Sequence, residues 1–558
     1  MRSKLLVIVS LLMVASMVLG ACAKAPAAPS QTLRVNLGTY PDTLDPQKSS
    51  FVNEIAHLKM IYEGLTRLDA NLETVAGAAE KWSYNADATV LTFTLRANLK
   101  YSDGSLLNAK RFEYSILRNI DPTTAGEYAS ITDDIAGATE WRSADLATAT
   151  PEQLAILKSN VQVKATDGGG VACTGYDQKD CNTLVIGLKQ PAPYFHTVMS
   201  LWVTYPAKQE LIEQGGESWY TDPALQLGNG PMVLSTLEPT VSAMFTPNAN
   251  YWRGTAKVNI EFRYITDSAV SFQAYKNGEF DVIPLGAEDF ATAQNDATLA
   301  SQILNYPGSC TFALMFHQLK EPFTDQKVRE AFAYALDRSA WVTDILKGLG
   351  NPTLTWIPKG FPGYDAQETR WGFDPAAAKQ AIADSSYGSV DKLPPITLTF
   401  SDTPRNRTRY EWLAAKYKEV LGVDMALNPV ESTTYTALTK DINTAPQVYI
   451  LGWCADYPDP QNWLSVYWKT GAFGERIGYT NPTLDAKLAE ADSSTDPTAR
   501  MALYAQAQTM LTDTAPVAFF WNNMNTYLVQ SYVKGITQTP MDSGWPGDID
   551  PLTITIEK

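Results

Sequence analysis

Histidine is scarce in this sequence: three residues in 558, at His57, His196 and His317. Spaced so widely, they leave little material for a histidine-based metal centre or catalytic cluster. Positive charge is in deficit as well. Lys and Arg number 44 against 60 Asp and Glu, a formal net charge of −16, which argues against a nucleic-acid partner, whose phosphates need a basic footprint. Beyond the first twenty or so residues no apolar run is long enough to cross a bilayer. Enzyme signatures are missing too: there is no His-Glu-x-x-His, no Gly-x-x-x-x-Gly-Lys-Ser/Thr and no Gly-x-Ser-x-Gly. Gly168-Gly169-Gly170 has no helix start after it and reads as a loop. No repeat with a period of about 20–50 residues is visible, which removes solenoids and propellers.

At the start of the chain, Arg2 and Lys4 precede an uncharged, mostly apolar run from Leu5 to Leu19. It closes with Leu19-Gly20-Ala21-Cys22, and the pattern predicts a signal peptide over residues 1–21. Those last four residues resemble a bacterial lipobox, which implies diacylation of Cys22 and attachment to a membrane by lipid. Residues 22–31, rich in Ala, Pro and Ser, then read as a lipidated, flexible tether. The expected location is outside the cytoplasm, anchored on a bacterial cell membrane.

Length alone calls for two or three domains. Hydrophobic content of 45%, with 14 Trp and 27 Tyr, fits a folded chain rich in recognition surfaces. Period-2 runs such as Leu33–Leu37, Leu91–Arg96 and Ile396–Phe400 alternate with helical patterns such as Ala109–Ile120, for which Asn108 is the expected cap, and Arg405–Leu421. This order predicts α/β lobes with mainly parallel sheets. Cys173 and Cys181 flank a turn-rich stretch between two β-type runs, and an exported protein is expected to close it with a disulfide. Cys310 and Cys454 lie far apart, and the sequence by itself does not join them.

The richest stretch is Val448-Tyr449-Ile450-Leu451-Gly452-Trp453-Cys454-Ala455-Asp456-Tyr457-Pro458-Asp459-Pro460-Gln461-Asn462-Trp463. An apolar strand runs into a glycine, and prolines then force an extended or turning path. The strand end thereby presents aromatics, a cysteine and two carboxylates, where α/β folds hold ligands. Its Gly-Trp-Cys-Ala-Asp-Tyr core, with Gly38-Thr39-Tyr40-Pro41-Asp42-Thr43-Leu44-Asp45-Pro46, Tyr101-Ser102-Asp103-Gly104-Ser105 and Ala335-Leu336-Asp337-Arg338, resembles family-5 extracytoplasmic solute-binding proteins of ABC importers. The oligopeptide-binding branch is the most similar, and matching blocks run from about Leu33 to the end.

This resemblance implies an α/β, two-lobed, class II periplasmic-binding-protein-like fold with an additional domain on the first lobe. The lobes would comprise residues 32–52, 206–309 and 524–558, and residues 310–523, with the additional domain at 53–205. It implies a Cys310–Cys454 disulfide between neighbouring strands. It gives Asp456 the role of pairing with a peptide's amine, a cation too costly to bury without a counter-charge. Trp453, Cys454, Tyr457, Trp463, Tyr128 and Tyr40 are the other expected ligand-binding residues; no metal, cofactor or catalytic residue is expected. The partners implied are a peptide, the transmembrane subunits of an ABC permease and the membrane, with the receptor itself a monomer. Two positions depart from the pattern: Tyr40 stands where Glu is usual, and Ile450 where a basic residue can serve the ligand's carboxylate. An oligosaccharide stacked on Trp453, Trp463 or Trp468, or a metal chelate, is the alternative cargo. From another class, a surface glycosidase or peptidase would use Asp456 and Asp459.

Overall fold

A computed structural model describes residues 31–558. The expected signal peptide, Cys22 and tether residues 22–30 lie outside the described residues. Among the described residues eleven strands form one sheet. Its first half is built on Thr32–Asn36, whose alternate Leu33 and Val35 are buried and which pairs in parallel with Asn259–Arg263 and Val282–Pro284. The hairpin Met232–Glu238 and Ser242–Pro247 extends that half. The second half holds Ile396–Ser401, Met425–Val430 and Val448–Cys454.

Two long antiparallel strands, Ile303–Phe316 and Val517–Val529, run through both halves. At one end Val529 pairs with Val282; at the other Phe316 pairs with Val448. The chain thus makes two lobes joined by these strands. Their ladder is interrupted midway, between Pro307–Met524 and Thr311–Asn522. In the gap the Asn523 side chain accepts from the Cys310 amide at 2.8 Å, and a Cβ on Gly308 would lie 2.2 Å from Asn523 Nδ2.

The sheet is mixed, not mainly parallel as the alternation of elements suggested. The crossing strands must return through the same sheet, so their pairings are antiparallel, and the hairpin adds more. A separate four-stranded antiparallel sheet comprises Ala79–Tyr84, Val90–Leu95, Thr183–Gly187 and Val163–Thr166. Helix Ala109–Asn119 buries Phe112 and Ile116 beside it. A Cys173–Cys181 disulfide closes the loop between two of these strands. Asn108 does not cap the helix with its side chain; its Nδ2 donates instead to the carbonyls of Gly175 and Gln178, tying down that disulfide loop. No helix among the described residues is long and apolar enough to cross a membrane.

Candidate functional site

The strand Val448–Cys454 carries the stretch singled out above. One edge pairs along its length with Ile303–Phe316, and Cys310 stands directly opposite Cys454, to which it is disulfide-bonded. The other edge pairs only at Val448, with Leu398. Beyond Ile450, whose carbonyl accepts from the Tyr435 hydroxyl at 2.6 Å, that edge is open. Glycine is required at 452 because a Cβ there would sit 2.7 Å from the Phe312 ring and 3.0 Å from the Thr311 carbonyl. After Cys454 the Ala455 amide donates to the Ser309 carbonyl at 3.0 Å. Asp459 then caps helix Pro460–Trp468, accepting from the Gln461 amide.

The open edge faces a cavity of about 520 Å³ between the lobes. Glu63, Tyr128 and Trp202 line it on one side and Gly452 to Asp456 on the other, with Asn525 and Tyr527 from a crossing strand. Asp456 is half-buried, keeping part of its surface toward this space. Its Oδ2 accepts from Asn462 Nδ2 at 2.9 Å, and the Tyr128 hydroxyl is its other polar neighbour. Among the described residues no Lys, Arg or His forms an ion pair with it. Burial pushes its carboxyl up from 3.8 to about 6, against the smaller downward pull of Asn462 and Tyr128.

Other charges in the cavity are mostly spoken for. Lys59 pairs with Asp548 at 3.0 Å and Arg253 with Asp550 at 2.7 Å. Glu63 accepts from the Tyr251 hydroxyl and Trp252 Nε1, both at 2.5 Å, while burial raises its pKa. Asp542 accepts from the Tyr306 and Tyr527 hydroxyls at 2.5 and 2.7 Å; burial, then the nearby Asp548 charge, raise it to about 6. No cluster of three or more His, Cys, Asp or Glu among the described residues is placed to hold a metal ion.

Of the residues singled out in the sequence, Asp456, Trp453, Cys454 and Tyr128 line the cavity. Tyr128 stands against Trp202, ring centroids 5.2 Å apart. Tyr457, Trp463 and Tyr40 do not line it. Tyr457 is 3% exposed and turned into the first lobe's core, its hydroxyl on Gln461. Trp463 is 0% exposed on the inner face of its helix, edge-on to Trp356 and Phe361. Tyr40 packs edge-on against Tyr264, 5.1 Å away. Asp459 is committed to Arg500 through two bonds of 2.8 and 2.7 Å, which removes it as a partner acid for Asp456. Glu63 and Asp542 were missed. A lone acid inside Met60-Ile61-Tyr62-Glu63-Gly64-Leu65 was the available signal for the first; Asp542 sits in no pattern.

The sequence matches the model of the bacterial extracellular solute-binding proteins, family 5, over residues 73–475. The chain belongs to that family. Its members are solute-binding proteins, which are non-enzymatic, and they act outside the cytoplasm. The chain is 28% identical to the dipeptide-binding protein DppE of Bacillus subtilis, covering 93% of this chain and 91% of that one. It is 29% identical to the periplasmic oligopeptide-binding protein OppA of Escherichia coli, covering 92% of each. Among solved structures, the periplasmic murein tripeptide-binding protein MppA in its unliganded open form superimposes with a TM-score of 0.77 at 26% identity, over 95% of this chain and 99% of that one.

Proposed function

We propose that this family-5 protein is the peptide receptor of an ABC importer, lipid-anchored through Cys22, taking oligopeptides between its lobes and delivering them to the membrane permease. The observation that carries the reading is a half-buried carboxylate, Asp456, with no cation beside it, at the end of an open strand edge inside the interlobe cavity. An extended peptide can pair its backbone with such an edge whatever its side chains. Its terminal ammonium then supplies the counter-charge that Asp456 lacks.

The tryptophans expected to stack a sugar are largely committed to packing, which supports a peptide. Trp463 and Trp468 are wholly buried, and the Trp453 ring is packed against Tyr467 and Phe473. The lobes, taken as residues 32–52, 206–309 and 524–558 against 310–523, with 53–205 added to the first, close by bending the crossing strands where their ladder is broken. Small-angle scattering of the monomer then shows a smaller radius of gyration with peptide; an unchanged radius counts against closure. The deciding experiment is native mass spectrometry of the leaderless protein, releasing whatever co-purifies. A ladder of short peptides supports the reading, and a single sugar or chelate mass overturns it. If the protein is empty, calorimetric titration with peptides and with oligosaccharides makes the same choice.

A further inference from the structure

A second hollow, of about 220 Å³, lies in the second lobe, and Gly452 lines both it and the main cavity, so the two adjoin. Its wall is largely aromatic, with Phe312, Trp341, Tyr410 and Trp521, and Ile450 contributes no charge. The cation that lines it is Arg409, from helix Pro404–Leu421.

Arg409 is half-buried, and no hydrogen bond or ion pair joins its guanidinium to any described residue. Burial lowers its pKa from 12.5, Arg405 repels it, and Glu288, the acid that acts on it, is already held by Arg405 at 3.0 Å. The same lobe treats its other buried arginines differently. Arg329 donates to the carbonyls of Ala515, Phe323 and Thr514, and Arg338 to those of Phe519, Ala333 and Trp371. A half-buried guanidinium with five donors and no protein acceptor is only partly solvated. It is stabilised when a planar, two-oxygen anion arrives.

We propose that Arg409 is the docking point for a carboxylate of the ligand. This rests on the peptide reading, with Asp456 at the amine end. Gly452 and Asp456 are four residues apart, at most about 13 Å of extended chain at the rise of a strand. A peptide whose terminal carboxylate reaches past Gly452 while its amine meets Asp456 is therefore short, roughly three to five residues.

The probe is an equimolar library of tri- to pentapeptides, as free acids and as C-terminal amides, with bound members quantified by mass spectrometry. The wild type is expected to enrich free acids over amides by about 10- to 100-fold, the worth of a charged hydrogen-bonded pair. Arg409→Gln should still bind the library but lose that discrimination, and Arg409→Lys should regain part of it. Enrichment of glutamate-containing amides, lost in Arg409→Gln, would support the same carboxylate site with a side chain as its source. Equal binding of acids and amides by the wild type, a comparison that needs no variant, overturns the proposal. So does full discrimination in Arg409→Gln, which would place the carboxylate elsewhere. Failure of the wild type to bind either library overturns the peptide reading and this proposal with it, whereas peptide binding without discrimination overturns this proposal alone.

Discussion

Replacing Asp456 by Asn should improve the empty receptor and disable the loaded one. The carboxyl is raised from 3.8 to about 6 by burial, a displacement worth up to about 3 kcal/mol. Because the folded form holds its proton more tightly, this cost is absent below pH 3.8 and complete above 6, so in the ligand-free protein stability is lost as pH rises through that window. Asparagine removes the charge and the cost while keeping most of the shape. Ligand-free Asp456→Asn is therefore expected to melt at a higher temperature than the parent at pH 7.5, with the gap narrowing toward pH 4. Peptide binding should move the other way. An ammonium beside the carboxylate selects its ionised form, so parental affinity is level near neutrality and falls by about tenfold per pH unit as pH drops below about 6. Above about 8 the peptide's own α-amine loses its proton and affinity falls again. The variant should lose about 10- to 100-fold at pH 7 and show no acid limb. Calorimetric titration of one bound peptide from pH 5 to 8.5, with thermal melts of the empty proteins, tests both halves. A variant that is less stable at pH 7.5 and binds as tightly as the parent would refute the role given to Asp456.

Other expectations concern the frame around that carboxylate. Gly452→Ala places a Cβ 2.7 Å from the Phe312 ring; the strand must shift, and peptide affinity should drop by about tenfold or more while the melting temperature changes modestly. Cys454→Ser removes the bond to Cys310, whose ring closes over a separation of 144 residues, and should cost about 2–5 kcal/mol in denaturant unfolding; an unchanged midpoint would contradict this. His57 is buried and His196 half-buried, and burial lowers both pKa values to about 4. Their ring resonances should titrate near pH 4 instead of 6.5, and each should weaken the fold as pH falls through that interval.

The strands and helices that carry the site were legible because their patterns are local. The run Val448–Leu451 announces a strand, although that strand continues through Gly452 to Cys454 where the glycine suggested a loop, and Asn or Asp with Pro announces the helix starts. What stayed hidden depends on which face of an element turns inward. Trp463 and Tyr457 flank the same loop as Asp456, yet the cap made by Asp459 starts a helix that rolls Trp463 into the core. Tyr40 sits in a conspicuous opening block, but a nearby tyrosine, Tyr264, claims its ring. Glu63 and Asp542 share a cavity with Asp456 only through the fold, from segments some 390 and 90 residues away along the chain. Sequence spacing holds no record of such meetings. Mixed strand direction was missed for a related reason: alternation of β and α elements says nothing about two strands that each serve both halves.

The broken ladder between the crossing strands has a consequence for how tightly such a receptor grips. Gly308, Cys310 and Asn523 fill the gap, and a side chain at 308 would displace the Asn523 amide. On the proposed closure they would set the gape at which the empty molecule rests, and the measured affinity of a clamp depends on how often it already stands near its shut posture. Substitution at this pivot can therefore retune grip strength for every cargo at once while leaving preference among cargoes as it was. A lineage adapting to scarcer or richer supply has a dial here that is separate from the recognition surface.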